Sequence, residues 1–246
     1  MKKKILTDKL KGLFFWQGWH PEVALRYLPV VSEIKKTGKC PSVLDVGSGG
    51  LGIAPYIGFK VTGVDIRFTP PFHQNLDRIK ASAVKLPFAD NVFDAVIAVD
   101  AFEHLSRSDR EKATTEVLRI AKKLAIIAVP CGKSAYLQDK ELNRYYRRKF
   151  HKKYNFFEEQ LKLGLPEEND IIKAITQSAI ALNIKVNLTI LNNENLKLRK
   201  FLMTGWMTNN LLINIFFRKI LLFALPLLSN FNSKPVYRKI FVIRKK

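Results

Sequence analysis

The chain has 246 residues, 47% of them apolar, with 42 Lys and Arg against 21 Asp and Glu and a net charge of +21. That length holds one large α/β domain or two small ones, and the apolar share excludes a mainly disordered chain. Two cysteines, Cys40 and Cys131, neither in a CxxC pair, exclude a disulfide scaffold and a cysteine zinc site and fit a reducing compartment.

The charge is uneven. Residues 1–40 carry a net +6, residues 41–130 a net +1 and residues 131–246 a net +14. Basic ends around a near-neutral middle read either as solvated lysine-rich faces or as attraction to an anionic partner, such as a phosphorylated substrate, a membrane surface or nucleic acid. The opening MKKKILTDKLKGLFFW has a basic start but no long apolar run and no small-residue cleavage site, so no signal peptide is expected. Phe14, Phe15, Trp16 and Trp19 read either as packing groups or as a cover over a pocket.

In Pro21–Lys36 the apolar residues Val23, Ala24, Tyr27, Leu28, Val31 and Ile34 recur at helical spacing, with Pro21 suited to a first turn and Pro29 set to kink the helix. Ser42–Val46 is a short apolar run stopped by GSGGLG, the pattern of a buried strand entering a tight turn. Phe59–Ile66, Ile79–Val84 and Val92–Val99 follow as strands. Ser106–Lys122 reads as a helix capped by Ser106 or Ser108, and Leu124–Val129 as a fifth strand. Strands alternating with helices mean crossover units and a parallel sheet with both faces covered.

After Pro130 the predicted elements are a very basic helix over Asp139–Phe150, a helix over Pro166–Leu182 with acids in its first turn, and a strand over Ile184–Leu191. Apolar helical segments fill 196–230, and a last strand spans Pro235–Ile243. Leu211–Ser229 is long enough to cross a bilayer. Arg218 and Lys219 sit at its middle, where each costs about 2.5–3.5 kcal/mol, and Pro226 interrupts it. It reads instead as two helices over an active site, or as a segment lying on a membrane surface.

Gly47-Ser48-Gly49-Gly50-Leu51-Gly52 fits GxGxxG after a strand, where missing side chains let a ligand approach the backbone. Asp65, 18 residues beyond Gly47 at the end of the second strand, suits both hydroxyls of an adenosine ribose. Asp45, just before the glycines, repels a pyrophosphate but suits an ammonium or a sulfonium. Pro55 and Gly58 weaken the helix that would face a pyrophosphate. Both points favour S-adenosylmethionine over a dinucleotide.

LDVGSGG (Leu44–Gly50), VDI (Val64–Ile66) and LPFADNVFDAVIAVDAFEHL (Leu86–Leu105), with the strand ending at Pro130, resemble the class I S-adenosylmethionine-dependent methyltransferases. The type 11 group related to ubiquinone and menaquinone biosynthesis methyltransferases is the branch they look most like. The resemblance covers residues 40–131. It implies a Rossmann-like seven-stranded, mostly parallel sheet with helices on both faces and an antiparallel last strand, here Pro235–Ile243. It also implies that Asp45, Gly47, Ser48 and Gly49 form the cofactor loop, with Asp45 near the methionine amino group. Asp65 is then the ribose acid, Ile66 an adenine contact and Asp100 the rim of the methionine pocket. Ser82, beside Ala83, stands where the family often has an Asp facing the adenine amino group, and Leu51 replaces the family's third glycine.

Methyl transfer starts from an already activated sulfonium, so positioning supplies much of the rate, and an oxygen or nitrogen nucleophile also uses a base. His104, after Glu103, is the candidate base; the pair reads equally as a loop cap. His20, His73 and His151 have no metal-ligand spacing, so no metal is expected. Tyr136, Tyr145 and Tyr146 read as substrate lining or as packing beneath a basic cap. Arg144–Tyr154 mixes cations with aromatics, which suits phosphates or bases, but no nucleic-acid module surrounds it.

The expected protein is a single methyltransferase domain, cytoplasmic or peripheral at the inner face of the membrane. Residues 41–130 hold the cofactor, 1–40 and 131–234 form the acceptor side with a basic helical cap, and 235–246 are the last strand. The acceptor is a small molecule, anionic or linked to a lipid or glycan; an anionic membrane surface is a second expected partner. An NAD(P)-dependent oxidoreductase and a non-catalytic binding protein of the same fold are the alternatives.

Overall fold

Side chains alternate between two faces along the central strands, and that alternation builds the molecule. The computed structural model describes residues 18–246; Phe14, Phe15 and Trp16 lie outside them. The chain runs α1 (Pro21–Lys35), β1 (Val43–Val46), α2 (Ala54–Ile57), β2 (Val61–Asp65), β3 (Leu76–Lys80), β4 (Phe93–Val99), α3 (Arg107–Ile120) and β5 (Ala121–Pro130). It continues α4 (Gly132–Phe150), α5 (Asn155–Leu163), α6 (Glu168–Ala181), β6 (Val186–Asn195), α7 (Leu196–Trp206), α8 (Leu211–Arg218), α9 (Leu225–Leu228) and β7 (Val236–Lys245). Single turns at Phe102–His104 and Ile220–Ala224 are of the tighter 3-10 type.

The seven strands form one sheet in the order β3-β2-β1-β4-β5-β7-β6. All neighbours pair parallel except β7, which is antiparallel to both β5 and β6. This is the Rossmann-like sheet that the sequence implied.

Ile97, Ile126 and Val242 face one side, where Val30 and Ile34 of α1 and Leu202 of α7 cover them. Val96, Ile127 and Phe241 face the other, against Val117 and Leu118 of α3 and Ile171 and Ile175 of α6. Each such side chain contributes about 1.5–3 kcal/mol by leaving water, and two covered faces explain why β1, β4 and β5 read as almost unbroken apolar runs. A separate cluster of Leu142, Phe157, Met203 and Met207 joins α4, α5 and α7 into the basic cap.

Ser106 is the cap of α3, its Oγ accepting from the Asp109 N–H, and Pro21 opens α1 with Pro29 inside it. Three expected boundaries move. The third strand lies earlier than Ile79–Val84, because its partner is β2 and only Leu76 of it is buried. The basic helix starts at Gly132 rather than Asp139. The strand expected to stop at Leu191 runs to Asn195, so part of the region assigned to the acceptor side belongs to the sheet. Leu211–Leu228 is not one helix: Lys219, at φ −129° and ψ −50°, ends α8, and a 3-10 turn and the short α9 follow.

Candidate active site

The parallel strands β1, β2 and β4 end at Val46, Asp65 and Val99, at the point where strand order reverses, which is where open α/β sheets bind ligands. A cavity of about 520 Å³ opens there, within the roughly 300–1,000 Å³ usual for ligand sites. Gly47, Ser48 and Gly49 wall one side, Asp65 and Ile66 another, and Ser82, Ala83, Asp100 and His104 line the rest.

The glycine loop turns because its residues adopt left-handed backbone: φ is +79° at Gly47 and +48° at Gly52. A Cβ on Gly47 would lie 2.5 Å from the Cβ of Ala101, and one on Gly52 would lie 2.3 Å from Asp45 Oδ2. The turn is tied to β2 by the Gly47 N–H, which donates to the Val64 carbonyl (2.7 Å).

Asp65 accepts from the Gly49 N–H at 2.9 Å and from the Arg67 N–H at 3.0 Å. Each oxygen keeps a lone pair for a sugar hydroxyl. Ile66, 67% exposed, offers an apolar shelf beside it. Ser82 lies across the cavity, in a tight bridge to Lys85.

Asp45 is not among the lining residues. Its side chain is buried behind the loop, where Oδ2 accepts the Ile53 N–H at 2.8 Å, so its visible work is to fix the turn. Burial pushes its carboxyl up to about 7, with Asp65 adding to the effect against the hydrogen bond from Ile53.

Asp100 follows β4 in left-handed backbone, φ +48°. Its carboxylate receives Arg238 Nε at 2.5 Å and Nη2 at 2.7 Å, and Arg26 Nη1 at 3.1 Å. Burial acts to raise this carboxyl, but Arg238 and Arg26 overcome it and hold it below the usual carboxylate range. Glu103, fully buried and bonded to Gln160 Nε2 at 3.2 Å, is pushed the other way, up, by burial and by Asp100. His104 reaches the cavity with Nδ1 3.0 Å from Glu159 Oε2 and its ring against Phe156.

Arg26 and Asp100 also wall a second cavity of about 350 Å³. Its other lining includes His20, Tyr154, Trp206, Phe217 and Arg218. Four of the residues lining it carry a buried polar atom without a hydrogen-bond partner: His20 Nδ1, Arg26 Nε, Arg199 Nε and Arg218 Nε. Arg218 stacks on Trp206 at 5.0 Å and has no carboxylate partner among the described residues. Burial, helped by Lys219 and Arg218, pushes the His20 imidazole down to about 4, so it is neutral at pH 7.

The sequence carries no signal for Arg26 and no role for His20, and marks Tyr154 only as the end of the basic aromatic stretch from Arg144. Tyr136 donates toward the Leu161 carbonyl (3.5 Å), and Tyr145 and Tyr146 pack on the cap cluster; none of the three lines either cavity. Trp19 donates to the Pro55 carbonyl at 3.1 Å. Among the described residues, no three His, Cys, Asp or Glu come together as metal ligands.

A model of the methyltransferase domain family matches residues 44–129, the stretch that carries the glycine loop, Asp65 and Asp100. No curated protein matches the chain. Among solved structures, an S-adenosylmethionine-dependent methyltransferase from Thermotoga maritima shares 15% identity over 90% of each chain, with a TM-score of 0.51. The magnesium protoporphyrin IX methyltransferase of Synechocystis, with bound S-adenosylhomocysteine, shares 12% over 89% of this chain and 82% of that one (TM-score 0.52). A geranyl diphosphate methyltransferase in complex with S-adenosylmethionine shares 11% over 91% and 86% (TM-score 0.53). At these identities the likeness is one of fold. The family match makes 44–129 a methyltransferase domain, so the chain is a methyltransferase and S-adenosylmethionine is its cofactor.

Proposed function

We propose that the chain methylates a small acceptor with an anionic group, bound in the cavity that shares Arg26 and Asp100 with the cofactor site. The observation that carries this reading is Arg218, a guanidinium in a cavity wall with no carboxylate partner among the described residues. Arg218 is half-buried, and an arginine stacked on an aromatic face without a carboxylate partner is suited to carboxylate or phosphate. Trp206, Tyr154 and Phe217 offer flat apolar surface to the rest of the acceptor.

The cofactor supplies a methyl group on sulfonium. With it bound, the acceptor's nucleophile would take that methyl and pass its proton to a base of this chain. Arg26 and Asp100, locked together with Arg238, form a rigid wall between the two cavities, so geometry does much of the work. His104, on the wall of the first cavity, is the side chain placed to accept the nucleophile's proton, and His20 lines the second cavity as a neutral imidazole. Asp65, Ile66 and Ser82 hold the nucleoside in this reading, and the loop of Gly47, Ser48 and Gly49 approaches the methionine part. The likeness to the ubiquinone and menaquinone branch, the single-domain organisation and a cytoplasmic or membrane-peripheral location belong to the same proposal.

Incubating methyl-labelled cofactor with fractionated cell extract tests it. The labelled product should be a small molecule retained on an anion exchanger, and Arg218→Met should lower its formation about tenfold or more, the equivalent of 1.4 kcal/mol. A cationic or macromolecular product, or full activity in the variant, contradicts the reading.

A further inference from the structure

Helix α8 looks two ways. Phe217 and Arg218 turn into the second cavity, whereas Leu211, Leu212 and Phe216 stand in solvent, and no residue of the helix is buried. The exposed apolar surface runs on through Phe223, 86% exposed, and Leu227, and Phe201 of α7 joins it 4.9 Å from Phe217. Over Leu211–Leu228 the mean hydropathy is 2.0 and only 6% of the stretch is buried. Water-soluble surfaces seldom leave an apolar patch of this kind without an occupant.

The exposed cations that flank the patch in the chain favour an anionic occupant. Residues 196–246 contain no Asp or Glu; of their cations, Arg199 and Arg238 are buried in ion pairs and Lys200, Lys239 and Arg244 pair with Glu141, Glu168 and Glu33, whereas Lys197 and Lys234 have no carboxylate partner among the described residues. Lys197 and Lys234 are exposed. Their chain neighbours Asn195 and Ser233 are joined by a hydrogen bond from Asn195 Nδ2 to the Ser233 carbonyl at 2.7 Å, and Lys234 follows α9 and the exposed Phe231 in the chain. An occupant must therefore be apolar inside and anionic at its rim. A second copy of this chain brings another +21, which opposes self-association. A bilayer crossing needs about 20 residues of continuous helix, whereas α8 has 8 and α9 has 4.

We propose that the α8–α9 face docks on the surface of an anionic lipid bilayer, its apolar side chains at the headgroup–acyl boundary and its lysines among the headgroups. Docking in this way sets the second cavity beside the lipid, because one helix serves both. The docking itself does not depend on which acceptor the cavity takes.

Flotation of the full chain with vesicles tests it. The protein should float with phosphatidylcholine–phosphatidylglycerol vesicles at low salt, fail to float with phosphatidylcholine alone, and be released by high salt. The double variant Leu212→Asp with Phe223→Asp should lose binding about tenfold or more, with S-adenosylmethionine binding and melting temperature unchanged. Absence of flotation, or flotation indifferent to the double variant, overturns the proposal; the second result would place binding in the general basic surface or in residues 1–17. Retention after an alkaline wash would indicate a span and overturn it too. So would a dimer in sedimentation that the double variant dissolves.

Discussion

Arg238 on β7 and Asp100 at the end of β4 are 138 residues apart in sequence and meet in a two-toothed ion pair of 2.5 and 2.7 Å. Both are almost fully buried. Arg238 Nη1 also reaches Asn193 at 2.9 Å and Glu194 at 3.3 Å. One guanidinium thus holds the wall shared by the two cavities to the antiparallel edge of the sheet. Replacing it leaves buried carboxylates without a partner, which costs far more than the pair contributes over an apolar substitute. Arg238→Met should destabilise the fold by about 3–5 kcal/mol, lowering the calorimetric midpoint by roughly 6–20 °C. An unchanged midpoint would show that the network is dispensable.

Asp45 gives a pH signature. Its folded-state value of about 7 lies above the ordinary 3.8, so between those values the folded chain keeps a proton that the unfolded chain has lost. Its contribution to stability is full below about pH 4 and declines as pH rises through 7. Asp45→Asn keeps an acceptor for the Ile53 N–H and removes this dependence. The variant's midpoint should therefore gain on the parent's from pH 5 to pH 8; a gap constant with pH would refute the buried-acid account.

His20 should behave in the opposite sense. Its folded-state value of about 4 lies below the ordinary 6.5, so the unfolded chain takes up a proton first and stability falls as pH drops through that interval. His20→Gln should show its advantage over the parent at pH 5 and not at pH 8, in the same melting series. An advantage larger at pH 8 would mean that the imidazole is charged in the folded chain.

The glycine turn is sterically closed at Gly52. Besides the Asp45 oxygen, an added Cβ would meet the Cβ of Ser48 at 2.9 Å, and φ is +48°. Gly52→Ala should cost about 1–3 kcal/mol of stability and weaken S-adenosylmethionine binding at the same time. Thermal melts and a titration on one preparation check it; wild-type values in both would mean that the turn shifts freely.

Much of the cofactor half is legible in the sequence because its signals are local. An apolar strand, a glycine turn and an acid one strand later lie within Val43–Asp65, and parallel pairing of β1 with β2 then brings Asp65 to Gly49. The acceptor half is not legible in this way. Arg26 is one basic residue in a helix, and nothing near it marks Asp100 as its partner. Asn192, Asn193 and Glu194 lie beyond the strand expected over Ile184–Leu191, yet they continue β6, where Asn193 donates to the Leu25 carbonyl and Arg238 bonds both Asn193 and Glu194. Asp45 shows another limit: the residue type suits a cation, and nothing in the sequence says that its carboxylate also accepts the Ile53 N–H behind the turn.

Calorimetric titration with S-adenosylmethionine addresses the central claim most directly. The account predicts one site per chain and a loss of about tenfold or more in Asp65→Ala, since a carboxylate bonded to ribose hydroxyls is worth about 1.5–3 kcal/mol. Asp77→Ala, on the exposed strand β3, should bind as the parent does. No heat with the parent chain, or an Asp65→Ala curve that overlays it, would contradict the site described here.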